Sequence, residues 1–162
     1  MKKEIIVLFI SLIIGCSYSV YTTGYPHLKT MQLLPVENQT GEYELRDIVL
    51  NSLIQQYEQD GRLKSVGMSP DCQLQCTILD YSNKIVTYSG STVDVYEVKI
   101  LFDVTFTDMK KNDVLWENKS LMLSETYSSS DENSKFTSEV EAQEEIAVQL
   151  FETIMKNTLE EW

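Results

Sequence analysis

The chain has 162 residues, with 13 Lys and Arg against 25 Asp and Glu, for a net charge of −12. That length predicts a single domain, and the acidity excludes nucleic acid, whose phosphates are held by clustered Lys and Arg. With 43% hydrophobic and 10% aromatic residues, but only 6 Gly and 3 Pro, the composition also excludes an acidic disordered tail and low-complexity classes.

Lys2 and Lys3 precede an apolar run from Ile5 to Ile14, broken only by Ser11, and Gly15 and Cys16 follow. A positive n-region before a short apolar stretch predicts a secretory signal. The run is too short to span a ~30 Å hydrocarbon core as a helix. A buried core helix is the competing reading, and it leaves Lys2 and Lys3 unexplained. Leu12-Ile13-Ile14-Gly15-Cys16 resembles the lipobox of bacterial lipoproteins. That resemblance implies cleavage before Cys16 and acylation of its thiol, with the small Gly15 admitting the cut. Two or three acyl chains anchor firmly, at ~0.8 kcal/mol per buried CH₂. Ser17, in place of the retention-signalling Asp, is compatible with the outer membrane. Loss of Lys2, Lys3 and Glu4 with residues 1–15 moves the net charge from −12 to −13.

Residues 17–27 form a short tether that reaches at most ~39 Å. Leu28 to Val36 is predicted to be a strand, closed by Pro35 and the polar run Glu37 to Gly41. Leu45, Ile48, Val49, Ser52, Leu53, Gln56 and Tyr57 make one face of a helix over about Tyr43 to Asp60. Gly61 sits where a C′ glycine belongs. Arg62 to Val66 has the makings of a short strand.

From Asp71 to Tyr81 the period becomes two: Cys72, Leu74, Cys76 and Ile78 share a face. Residues 82–91 look turn-like. Tyr96, Val98, Ile100, Phe102, Val104 and Phe106 then alternate with Glu97, Lys99, Asp103, Thr105 and Thr107, which predicts a sheet with one buried face. Met109 to Asp113 is a polar hairpin turn. Val114 to Thr126 returns as a strand, ragged around Leu121-Met122-Leu123. After the polar stretch 127–137, Ser138 and Glu141 have capping-box spacing. A last helix runs to about Glu160, with Ala147, Leu150, Phe151, Ile154, Met155 and Leu159 inward.

The expected organisation is a leader over 1–15, a lipidated tether over 16–27 and one domain over 28–162. The expected fold is α/β: a two-layer sandwich with two helices packed on one face of a mixed, mostly antiparallel four-stranded sheet. The first crossover is expected to be right-handed.

Catalytic signals are poor. His27 is the only histidine and lies in the tether, and the chain has no HExxH, GxSxG or glycine-rich phosphate loop. Cys72 and Cys76, four apart on a strand, lie ~13 Å apart, beyond the ~7 Å reach of a disulfide. They are expected to be core thiols; pairing through a bulge or with a partner is the alternative. Glu141, Glu144 and Glu145 at a helix start suit the helix dipole. Lys110 and Lys111 are the only adjacent basic pair after the leader. They make either a solvated turn or a small cationic tip that touches lipid phosphates. Asn38-Gln39-Thr40 and Asn118-Lys119-Ser120 match the glycosylation pattern, incidentally in a bacterial lipoprotein.

Several segments in order carry a wider resemblance: Cys16-Ser17-Tyr18-Ser19, then Lys29-Thr30 leading into Leu33-Leu34-Pro35-Val36-Glu37-Asn38-Gln39-Thr40, Gln59-Asp60-Gly61-Arg62-Leu63-Lys64, Leu115-Trp116-Glu117 and Glu160-Glu161-Trp162. Together they resemble the LPS-assembly lipoprotein family (LptE-like), in the form common in Bacteroidetes. The resemblance implies two helices on a four-stranded sheet and a non-enzymatic outer-membrane lipoprotein. It also implies a partner, the LPS-assembly β-barrel, which such proteins plug and help to assemble while lipopolysaccharide reaches the outer leaflet. No metal and no cofactor beyond the acyl chains on Cys16 is implied. In so acidic a chain, Lys110 and Lys111 are the best candidates for lipopolysaccharide contact. A free periplasmic ligand- or peptide-binding lipoprotein is the alternative.

Overall fold

The computed structural model describes residues 25–89, 92–131 and 134–160. Strand β1 (Thr30–Leu33) and the two-residue β2 (Glu37–Asn38) are separated at Pro35, which lacks a ladder donor. Helix α1 spans Leu45–Asp60, followed by β3 (Lys64–Ser65). Three long strands come next, β4 (Cys72–Ser89), β5 (Thr92–Asp108) and β6 (Asp113–Tyr127). Helix α2 (Glu139–Met155) runs on into a π-turn over Lys156–Glu160.

The sheet has six strands among the described residues, in the order β3-β1-β4-β5-β6, with β2 also on β4. The expected four strands are thus corrected to six. The two additions are two-residue pieces: β3 falls within the short strand read at Arg62 to Val66, and β2 lies in the polar run from Glu37, where two residues show no period. The pairs β1–β3, β1–β4 and β2–β4 are parallel, while β4–β5 and β5–β6 are antiparallel. The parallel share is therefore larger than expected, although the two long ladders are antiparallel.

The turn expected at 82–91 is also corrected. Strand β4 continues to Ser89 and β5 resumes at Thr92. A bulge between Ile78 and Asp80 shifts the register, and others follow at Ile85/Thr87 and Thr87/Tyr88. Each bulge inserts a residue and breaks the period-two signal without ending the ladder. Before the first bulge the even residues Cys72 to Ile78 face the core; after it Tyr81 and Asn83 pair with Ile100 and Val98 on that face. Beyond Tyr96, which pairs with Tyr127 at the end of β6, β4 and β5 form a two-stranded ribbon with Ile85 and Val86 exposed.

One core lies between the helices and the sheet. Leu45, Val49, Leu53 and Tyr57 of α1 and Ala142, Ile146, Leu150 and Ile154 of α2 pack with Leu74, Ile78, Ile100, Phe102, Val104 and Phe106. The Tyr57 and Phe151 rings meet edge-on at 4.8 Å and join the helices. Gly61 ends α1 at φ 70°, its N–H donating to the Tyr57 carbonyl. Ser138 caps α2 by accepting from the Glu141 N–H, and the Glu141 carboxylate in turn accepts from the Thr137 N–H at 2.7 Å. Tyr81 bonds Glu139, Gln143 donates to the Tyr81 hydroxyl, and Gln149 donates to Glu125, so polar side chains also fix α2 on the sheet. Among the described residues no helix is long and apolar enough to cross a membrane.

Candidate functional site

The described chain begins at the end of the sheet where β1 and β4 start and β5 finishes. Two carboxylates organise that end. Asp71 precedes β4 and is almost fully buried; Asp108 closes β5 and is completely buried. Asp71 Oδ2 accepts from the N–H groups of Lys29 and Thr30, at 2.8 and 2.9 Å. Its Oδ1 lies 2.7 Å from Lys110 Nζ. Asp108 Oδ1 accepts from the N–H groups of Lys110 and Lys111, and its Oδ2 lies 2.6 Å from His27 Nε2. Lys110 Nζ also donates to the His27 carbonyl, at 3.1 Å. The β5–β6 turn and the segment entering β1 are thus clasped together by two acids, one lysine and one histidine.

The Lys110 ammonium, and then the Lys29 and Thr30 N–H groups, hold Asp71 well below the usual carboxylate range against its burial. Burial alone would push Asp108 up. The bonds from His27, Lys111 and Lys110 outweigh it and leave that acid lowered as well. His27, read from sequence as part of a free tether, is a member of this clasp. One local signal for the clasp was present: an Asp closing a strand commonly accepts from N–H groups two and three residues on. The pairing of residues 27 and 108 has no counterpart in local sequence.

Lys110 and Lys111 stand at this end, on the β5–β6 turn. The Lys110 ammonium is held by Asp71 and the His27 carbonyl. That of Lys111 lies 6.0 Å from the centre of the Tyr25 ring. No carboxylate among the described residues pairs with Lys111. Lys29 and Lys64 are exposed at the same end, where the Lys64 N–H donates to the Lys29 carbonyl. Cys16 lies outside the described residues.

Cys72 and Cys76 are both buried free thiols. Burial first, then Asp71 and Asp108, pushes Cys72 up to about 12; burial, then Asp103, pushes Cys76 up to about 12. Thiols held protonated this firmly are poor nucleophiles and metal ligands. No group of three or more potential metal ligands occurs among the described residues.

The outer face of the sheet is polar. The Gln73 amide donates to Gln32 at 3.1 Å, and Lys99 pairs with Glu97 at 2.9 Å. Leu101 and Met122 oppose each other there. The helix side carries an open groove of about 410 Å³, lined by Ile48 and Val148 together with Glu44, Asp47 and Glu144. Most of its lining residues are polar or charged, unlike the predominantly hydrophobic lining of a small-molecule pocket.

The family model "LptE: Lipopolysaccharide-assembly" matches residues 28–158, from the clasp to the π-turn. The chain belongs to the LptE family. Among solved structures, protein XCC0632 from Xanthomonas campestris is similar at 12% identity and TM-score 0.56, covering 82% of this chain and 89% of its own. The hypothetical protein CT253 from Chlamydia trachomatis is similar at 10% identity and TM-score 0.53, covering 79% of this chain and 94% of its own. At such identities these two share the fold alone. No curated protein sequence matches the chain. In this LptE-family member the match begins one residue after His27, so the clasp lies where the family domain starts.

Proposed function

We propose that the chain is an outer-membrane lipoprotein, anchored by acyl chains on Cys16, that plugs and helps to assemble the LPS-assembly β-barrel. In this role it supports lipopolysaccharide insertion into the outer leaflet and carries out no catalysis. The observation that carries the reading is the LptE family match over residues 28–158. The lipobox-like Leu12 to Cys16 and the open polar sheet face agree with it. Purification of the tagged lipoprotein from outer membranes in mild detergent tests the partner. Recovery of a large β-barrel is expected, and its absence would overturn the reading.

Lys110 and Lys111 are proposed to touch lipopolysaccharide phosphates. Lys111 is the better probe, because its replacement leaves the Lys110–Asp71 pair intact. Lys111→Glu is expected to weaken crosslinking to lipopolysaccharide while barrel recovery stays unchanged. Equal crosslinking would return the turn to a solvated role.

A further inference from the structure

We infer that the outer face of the sheet is the surface that lies against the inner wall of the barrel, anchored by an apolar stripe of Leu79, Leu101 and Met122. This assignment rests on the proposed plug role and adds which side of the domain meets the partner. Strand β4 supplies the first residue of the stripe through its bulge. Ile78 and Tyr81 both pack with the core, and the register skips a residue between Ile78 and Asp80. Leu79 and Asp80 therefore share the outer face. Asp80 pairs with Leu101 of β5, and Leu101 pairs with Met122 of β6. The three apolar side chains thus cross three neighbouring strands at about 4.8 Å a step. Leu79 and Leu101 are half-buried, and Met122 has 61% of its surface exposed. Among the described residues, none of the three belongs to the core or packs against it.

An apolar centre within a polar rim is the anatomy of a protein interface. The rim here includes Gln75 opposite Thr105, and Ser124 opposite Lys99. Its lysines are already paired, Lys99 with Glu97 at 2.9 Å and Lys119 with Glu117 at 3.2 Å. Asp80 and Asp103, beside the stripe, have no cationic partner among the described residues. The face therefore keeps negative charge around its apolar centre. Two copies laid face to face would press those carboxylates together, and lipopolysaccharide phosphates would meet the same repulsion. A barrel wall suits the face better, because outer-membrane barrels turn polar side chains inward, and these can donate to Asp80 and Asp103. The size is also adequate. Four strands at ~4.8 Å and about nine residues at ~3.3 Å make a face of roughly 600 Å². Covering it would bury about 1,200 Å² in all, the lower end of a stable interface. The helix side is the poorer match, since α2 carries five glutamates and no lysine or arginine, and interface centres are depleted of charge. Docking through the sheet leaves the Lys110–Lys111 turn, at the end of the sheet, free for lipopolysaccharide.

The test uses the acylated full-length chain in outer membranes, with a photoreactive benzophenone side chain at one of four exposed positions. Gln75 and Ser124 lie on the sheet face, and Asn51 and Gln55 lie on α1. Adducts with a large β-barrel are expected from 75 and 124, with little from 51 and 55. Leu101→Thr with Met122→Thr should lower barrel recovery roughly tenfold, while the urea midpoint stays nearly unchanged because neither side chain is in the core. Met122→Thr alone, on the edge strand, should act in the same direction and serves if the double variant fails to fold. Barrel adducts from 51 and 55 that equal those from the sheet, or undiminished recovery of the threonine variants, would overturn the face and leave the plug standing. Adducts from 75 and 124 with a second copy of the chain or with lipopolysaccharide, in place of the barrel, would overturn the assigned partner of the face. Failure of the unsubstituted chain to recover a barrel would overturn the plug and the face together.

Discussion

The imidazole Nε2 of His27 lies 2.6 Å from Oδ2 of Asp108, a residue 81 positions later in the chain. The histidine side chain is 29% exposed and the carboxylate is completely buried. A buried acid keeps its charge only where donors replace the lost water. His27 supplies one such donor, and the Lys110 and Lys111 N–H groups supply two more.

Removing that donor should therefore destabilise the domain even though His27 sits at its border. His27→Leu is expected to cost about 1–2 kcal/mol, the penalty for a buried acceptor left short of a partner, at the lower end because the ring is partly exposed. Urea unfolding measures it. An unchanged midpoint would show that the pair is incidental.

The two lowered carboxylates predict acid lability. Asp71 and Asp108 bind protons less readily folded than unfolded, where an aspartate titrates near ~3.9. Their contribution is fully present above that unfolded value. It is lost as pH falls through their lower folded values, because protonation then favours the unfolded chain. Stability should be flat in this respect from about pH 7 to 5 and fall below about pH 4. Asp108→Asn should flatten that acid limb while lowering stability at neutral pH. An acid limb of unchanged slope would assign the lability to other carboxylates.

Cys72 and Cys76 should resist alkylation in the native protein. Both thiols are buried and pushed up to about 12, so at pH 8 almost none is thiolate. Iodoacetamide followed by mass analysis should modify neither thiol until denaturant is added. Rapid native labelling of either would show that the core opens there.

Gly61 should not accept a side chain freely. A Cβ there would meet nothing within 4 Å, but φ is +70°. The cost is backbone conformation alone, about 1–2 kcal/mol. Gly61→Ala is expected to lower stability by that amount, and Gly61→Asn by less. Equal stability of the alanine variant would mean that the end of α1 rearranges.

Both helices were legible, because their inward residues recur every three or four positions and tertiary packing used the same stripe. Ala147, Leu150, Phe151, Ile154, Met155 and Leu159 are all buried. Strand β5 was legible for the same reason at period two. The ribbon was not: the bulges at Ile78/Asp80 and Ile85/Thr87 scramble alternation, and residues 84–87 are exposed, with no buried face to pattern them. Strand β2 was also hidden, since two residues carry no period and its pairing depends on β4, whereas β3 falls within the short strand read at Arg62 to Val66.

An acidic composition, a lipobox-like run ending at Cys16, two amphipathic helices and two core thiols were legible before any folding. These follow from composition and from periods that local chain geometry imposes. Folding alone brings His27 onto Asp108 and turns Lys110 back onto Asp71. It also gathers Lys29, Lys64, Lys110 and Lys111 at one end of an acidic molecule. Contacts between residues far apart in the chain depend on how the strands are ordered, and no local pattern encodes that order.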